Sequence, residues 1–177
     1  ALGDAFDQTD QVDQAVQSYT QAQQAAPNSS WAEAAAFGTG GTYVRHHQCR
    51  DSLRAFDAAP PPSGAGSDAQ DRRLMTLFAR GRCLMELGDD AGALSAFDAV
   101  RAADPEHDLA QQAALGMAEL YERQQRFAEA ESLLAMVARQ AFNPLQQAQA
   151  TLRVGSLQLA QGDAASALRT FEAALQA

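Results

Sequence analysis

Lysine and isoleucine are absent from this sequence of 177 residues, and all 13 basic side chains are arginine. The joint loss reads as a GC-rich coding bias, and so as a bacterial source, rather than as a physical requirement. Positive charge is scarce as well: 22 acidic side chains leave a formal net charge of −9, which argues against a nucleic-acid backbone as partner. No apolar run approaches the roughly 20 residues needed to cross a bilayer, so no transmembrane segment is expected. No basic stretch followed by an apolar one and a cleavage site opens the chain, so nothing marks a secretory signal. Location stays open between the bacterial cytoplasm and the periplasm or cell envelope. Cys49 and Cys83 are too few for a disulfide framework and lack the close spacing of a zinc or redox motif. What is present suffices for a folded chain, because 46% hydrophobic and 20% charged residues lie well above the apolar content of a disordered segment.

The strongest signal is internal repetition. The segments QVDQAVQSYTQA, QCRDSLRAFDAA, DAGALSAFDAV, FAEAESLLAMV and AASALRTFEAA superimpose with small residues at Ala15, Ser52, Ala93, Ala130 and Ala167. These are separated by 37, 41, 37 and 37 residues, and four residues beyond each stands Tyr19, Phe56, Phe97, Leu134 or Phe171. A small residue with a large one at i+4 shares one helical face, the first admitting a neighbouring backbone and the second filling the core. Upstream runs a second register, Gly3, Gly40, Gly81, Ala118 and Gly155, with the same separations and with Phe6, Tyr43, Leu84, Tyr121 and Gln158 three residues on. A glycine inside a helix costs about 0.8–1.0 kcal/mol relative to alanine, so its return implies an offsetting close contact between helices. Each unit is therefore read as two packed helices.

Turn chemistry agrees with this division. GDD at Gly88 and GDA at Gly162 stop one helix and start the next, while Pro27, Pro105 and Pro144 mark boundaries between units. Ser30 with Glu33, and Ser67 with Gln70, are spaced as capping boxes, and Trp31 is expected to staple the start of its helix. The acids in QTDQVDQ and GSDAQD read as helix starts, where negative charge meets the positive end of the dipole.

With these two registers, the chain resembles the tetratricopeptide repeat family, and GDDAGALSAFDAVRAADP, from Gly88 to Pro105, carries the likeness most fully. The resemblance implies an all-α fold, a right-handed α-solenoid of antiparallel helix pairs, forming one domain over residues 1–177. The units run over about 1–27 with an incomplete first helix, 28–59, 68–105, 106–143 and 144–177, with an insert at 60–67. The period of 37 exceeds the roughly 34 usual in the family, and Ser52 and Gln158 break the apolar pattern locally. Pro60, Pro61 and Pro62 with SGAGS account for the 41-residue step and form a candidate hinge. Both ends read as cut through an array, so Leu168, Leu175 and Phe171 are expected to present an uncovered apolar face suited to self-association.

The family's first helices line a concave surface. Projecting them here gives an apolar floor of Phe37, Val44, Met75, Phe78, Met85, Leu115, Leu152 and Leu159. Arg45, Arg82, Glu119 and Arg123 edge it. Such a groove suits an amphipathic helix or extended segment with hydrophobic anchors and some acidic groups, although the same apolar residues would also serve by packing against the next helix. The lysine- and asparagine-lined groove of chaperone-binding members is not present. His46, His47 and Cys49 cluster at one turn and His107 lies at another, but no further ligand is evident and solvated histidines are the expected reading. GTGGTY around Gly40 lacks the ending of a phosphate loop. Cys49 and Cys83 fall on helices expected to be neighbours, and two buried, reduced thiols are the favoured expectation. No serine, histidine and acid form a recognisable catalytic motif, so the chain is read as a non-enzyme without catalytic residue, metal or cofactor. The expected work is that of a protein-interaction scaffold binding a protein or peptide, as part of a larger bacterial protein or assembly. The alternatives are a module that self-associates through its solenoid ends, and a regulatory arm of a larger enzyme or regulator.

Overall fold

The computed structural model describes residues 2–27, 29–59, 66–140 and 143–176. The prolines of the expected hinge lie outside the described residues. Regular structure among the described residues is helical throughout. The order is α1 (Leu2–Gln8), α2 (Val12–Ala25), α3 (Ser30–Arg45), α4 (Cys49–Ala58), α5 (Ser67–Glu86), α6 (Asp90–Ala103), α7 (Asp108–Arg123), α8 (Phe127–Gln140), α9 (Pro144–Ala160) and α10 (Ala164–Gln176). The chain forms two compact units, Ala1–Ala96 and Phe97–Ala177, with the boundary inside α6.

One turn recurs. The carbonyls of Phe6, Tyr43, Leu84, Tyr121 and Gln158 accept from the backbone N–H of Gln11, Gln48, Asp89, Arg126 and Asp163 at 2.8–2.9 Å. One residue inside each bond, Asp10, His47, Gly88, Gln125 and Gly162 adopt φ of 58°, 57°, 81°, 58° and 83°. This is the left-handed helix stop in which two otherwise orphaned carbonyls are satisfied. Glycine takes that conformation freely, whereas the aspartate, histidine and glutamine bring a Cβ into it. Asp89 and Asp163 then cap the next helix, each Oδ1 accepting at 2.9 Å from the N–H of Gly92 or Ser166.

The other caps differ from the expected boxes. Ser29, not Ser30, caps α3 by accepting from Ala32 N–H at 3.3 Å. Gly66 caps α5 without a side-chain bond, so Ser67 is already its first helical residue. With Ser29 as the cap, Trp31 is the second helical residue, outside the pair of positions, before the cap and in the second turn, that form a hydrophobic staple. Trp31 is accordingly 74% exposed.

Packing follows the two registers. Ala15, Ser52, Ala93, Ala130 and Ala167 are all fully buried at 0% exposure, as a close helix contact requires. In the first unit the ring of Tyr19 lies between Gly3 and Gly38, where an added Cβ would come within 2.6 Å of its Cε1. The ring of Phe56 covers Gly40 in the same way. In the second unit a Cβ at Gly116 would meet Phe97 at 2.9 Å, and Phe171 covers Gly155. There Ala118 and Leu134 share a core with Ala114, Ala130, Val137 and Ala150. The larger small residue therefore accompanies the aliphatic side chain, and glycine accompanies the flat ring.

Both breaks in the apolar pattern have a local cause. Buried Ser52 donates its hydroxyl to the Gly40 carbonyl at 3.0 Å, bonding α4 to α3 where a methyl group would only touch. Gln158 donates to Glu131 Oε1 at 2.7 Å and accepts from the Thr170 hydroxyl at 2.8 Å, linking α9 to α8 and α10 through hydrogen bonds instead of a ring.

Candidate functional site

The residues expected to face a partner fall into two sets, one in each compact unit. In the first unit, α3 carries Phe37, Val44 and Arg45, and α5, which touches α3, carries Met75, Phe78, Arg82 and Met85. Phe37, Val44, Phe78 and Met85 are half-buried, Met75 is 45% exposed, and Arg82 is exposed. Arg45 is exposed but engaged, its guanidinium ion-paired with Asp7 on α1. In the second unit, α7 carries Leu115, Glu119 and Arg123, and α9 carries Leu152 and Leu159. Leu115 packs against the core cluster, whereas Leu152 and Leu159 are each 52% exposed. An ion pair between Arg153 and Glu122, 2.6 Å long, holds α9 to α7.

Apolar side chains left partly open beside arginines can receive hydrophobic anchors and neighbouring acidic groups of a chain laid across them. The helical register explains the exposure. Positions three before and four after the buried Gly or Ala lie within about 60° of it around the helix, so the register sets them at the border of the buried stripe, half-open rather than fully covered.

The histidines at the α3–α4 turn diverge. His46 Nε2 lies 3.7 Å from Asp7 Oδ1, while His47 Nδ1 lies 3.6 Å from Glu86 Oε2. Among the described residues no group of three or more His, Cys, Asp or Glu is placed to hold a metal ion. Cys49 is paired instead: it forms a disulfide with Cys83, 34 positions on in sequence, with Cα atoms 4.9 Å apart. The expectation of two reduced thiols is thereby corrected. The residues are buried on touching helices α4 and α5, whose adjacency was expected; what the sequence did not show is that the two sulfur atoms face one another across that contact.

One exposed feature was assigned a different role from sequence. Trp31, with Leu2, Tyr19 and Ala35, lines a cleft of about 270 Å³ between α1, α2 and α3. Burial pushes the Tyr19 phenol up from its ordinary pKa, helped by the Asp4 carboxylate that accepts its O–H at 2.6 Å. Tyr19 is thus held as a neutral donor in the wall of that cleft. Among the described residues, no helix is long and apolar enough to cross a membrane.

Comparison with known proteins identifies the fold. A family model described as a tetratricopeptide repeat-like domain matches residues 70–177, and one described as a tetratricopeptide repeat matches residues 1–29. No curated protein matches the sequence. Among solved structures, MamA is similar with a TM-score of 0.77 at 15% identity, over 99% of this chain and 94% of that one. A MamA fragment from Desulfovibrio magneticus RS-1 gives 0.73 at 12% identity, over 98% and 89%. YrrB, described as a TPR protein with an unusual peptide-binding site, gives 0.69 at 16% identity, over 98% and 81%. These are likenesses of fold: helix pairs of the α-solenoid class.

Proposed function

The chain belongs to the tetratricopeptide repeat-like family, and from that premise we propose that it is an interaction scaffold that binds a partner protein or peptide along its first helices. The observation that carries this reading is the face shared by α3 and α5. There Phe37, Phe78 and Met85 are half-buried, Met75 is 45% exposed, and Arg82 reaches solvent beside them. Large apolar groups held half-open on rigid, touching helices are what hot-spot anchors of a partner require. The peptide-binding site named for YrrB supports a peptide or an extended segment as the form of the partner. Acidic groups flanking its apolar anchors would pair with Arg82 in the first unit and Arg123 in the second.

The test compares capture of partners from the source organism's lysate by the native protein and by the double variant Phe78→Ala, Arg82→Glu, with helicity checked by circular dichroism. A partner held by the native chain and lost by the folded variant supports the reading. Capture that is equal in both refutes it.

The second reading is self-association, favoured by Leu168 and Leu175 on α10, which are 58% and 88% exposed. A molecular mass that rises with concentration, and falls back to that of one chain in Leu168→Glu, would support it.

A further inference from the structure

A second cleft, in the compact unit that begins at Phe97, is built from residues that the partner-binding face does not use. It encloses about 550 Å³ between the end of α6, the start of α7 and the end of α8. That size falls within the range of small-molecule sites, roughly 300–1,000 Å³. Ala110, Met136 and Val137 supply apolar wall, and Arg101, Glu106 and Gln111 supply the polar groups.

Two of those polar groups have unmet demand. The guanidinium of Arg101 directs Nη1 at Met117 Sδ, 3.8 Å away, and Nη2 at Met136 Sδ, 3.6 Å away. A thioether is a weak acceptor, so these contacts position the guanidinium without satisfying it. The Asp98 carboxylate, 71% exposed, stands 4.0 Å off, too far for a hydrogen bond. Gln111 is only 7% exposed. Its Nε2 donates to the Gln140 carbonyl at 3.2 Å, which fixes the orientation of the amide. Its Oε1 is then buried with no hydrogen-bond partner among the described residues. Buried acceptors are nearly always paired, so an orphan on a residue that lines a cleft marks a missing donor.

We propose that this cleft binds a free apolar α-amino acid in its zwitterionic form. Arg101 receives the carboxylate, whose planar pair of oxygens matches the guanidinium fork. The ammonium donates to Gln111 Oε1 and faces the Glu106 carboxylate at the mouth. The side chain packs on Ala110, Met136 and Val137. One cation and one anion in the lining match a ligand of zero net charge, and neither a phosphate nor a dicarboxylate has that balance. This assignment shares no residue with the face of α3 and α5, so the two readings stand or fall separately.

The experiment is calorimetric titration of the whole protein with L-leucine, N-acetyl-leucine and leucinamide, extended into the millimolar range. Leucine is expected to bind. N-acetyl-leucine, which lacks the ammonium, and leucinamide, which lacks the carboxylate, are each expected to bind about tenfold or more weakly. Arg101→Met should abolish leucine binding, and Gln111→Met should weaken it with little change in thermal melting, because it removes the orphaned oxygen together with the donor to the Gln140 carbonyl. Absence of leucine binding, equal binding of the three compounds, or full binding by folded Arg101→Met or Gln111→Met would each overturn the proposal.

Discussion

Substituting alanine for Gly40 should destabilise the protein even though alanine is the better helix former. A Cβ there would lie 2.6 Å from Phe56 Cζ and closer still to the ring edge, where ordinary contacts begin near 3.4 Å. The ring is 7% exposed, so it has little room to retreat. Moving α3 away instead would stretch the bond from the Ser52 hydroxyl to the Gly40 carbonyl, now 3.0 Å. Overpacking of this kind costs about 1–3 kcal/mol. The propensity gain returns about 0.8–1.0 kcal/mol. With the ring this close and buried, the upper half of the overpacking range applies, and a net loss of about 1–2 kcal/mol follows, or a fall of about 2–8 °C in melting temperature for a chain of this size. The assay is a double-mutant cycle followed by thermal and urea unfolding, with Gly40→Ala, Phe56→Leu and the pair. Ala118 and Leu134, both at 0% exposure, show the alanine–leucine combination well packed at the same register in another unit. The double variant should therefore lose less than the sum of the single losses, by at least about 0.5 kcal/mol. Unchanged melting of Gly40→Ala, or strict additivity in the cycle, would refute the reasoning.

Gln125 adopts φ of 58° at a turn where two other units use glycine, so Gln125→Gly should raise stability by about 0.5–1 kcal/mol despite the greater freedom of the unfolded chain. A lower melting temperature would show that the glutamine side chain contributes more than its strain. The Cys49–Cys83 disulfide closes a loop spanning 34 residues, and reduction should cost about 3–4 kcal/mol on the loop-entropy argument. Melting with and without reductant, beside a Cys49→Ser, Cys83→Ser variant, measures this loss. An intact mass showing two free thiols in the purified native protein would contradict the pairing.

The two registers were legible from sequence because each depends on side-chain size at a fixed spacing. Ala15, Ser52, Ala93, Ala130 and Ala167 lie where that spacing puts them, at the closest helix contacts. The turns at Gly88 and Gly162 were legible through glycine itself. The turn at His47 could be placed from the repeat, but the positive φ of Asp10, His47 and Gln125 could not, since no local signal says that such residues will accept it. The cap of α3 was misplaced because Ser29 and Ser30 are chemically equivalent in a string of letters. The helices α3 and α5, which carry Phe37 and Phe78, could be placed from the register. By contrast, the cleft holding Arg101 and Gln111 draws on three helices and an unpaired oxygen, and neither leaves a trace in local spacing.

The recurrence of one turn also bears on how such a chain changes length. Each of the five turns closes with the same bond, from a carbonyl to the N–H five residues on, at 2.8–2.9 Å. In the first, second and fifth helix pairs the ring of the second helix meets a glycine of the first, Tyr19 on Gly3, Phe56 on Gly40 and Phe171 on Gly155. These three contacts are internal to their pairs, while Tyr19 also covers Gly38 and Phe97 meets Gly116 on the helix that follows, so duplicating or excising a unit keeps the first kind intact and asks only for a small residue at the second. Length is then a quantity that selection can adjust in whole steps, and a partner that outgrows the available face can be met by copying a module rather than by redesigning one.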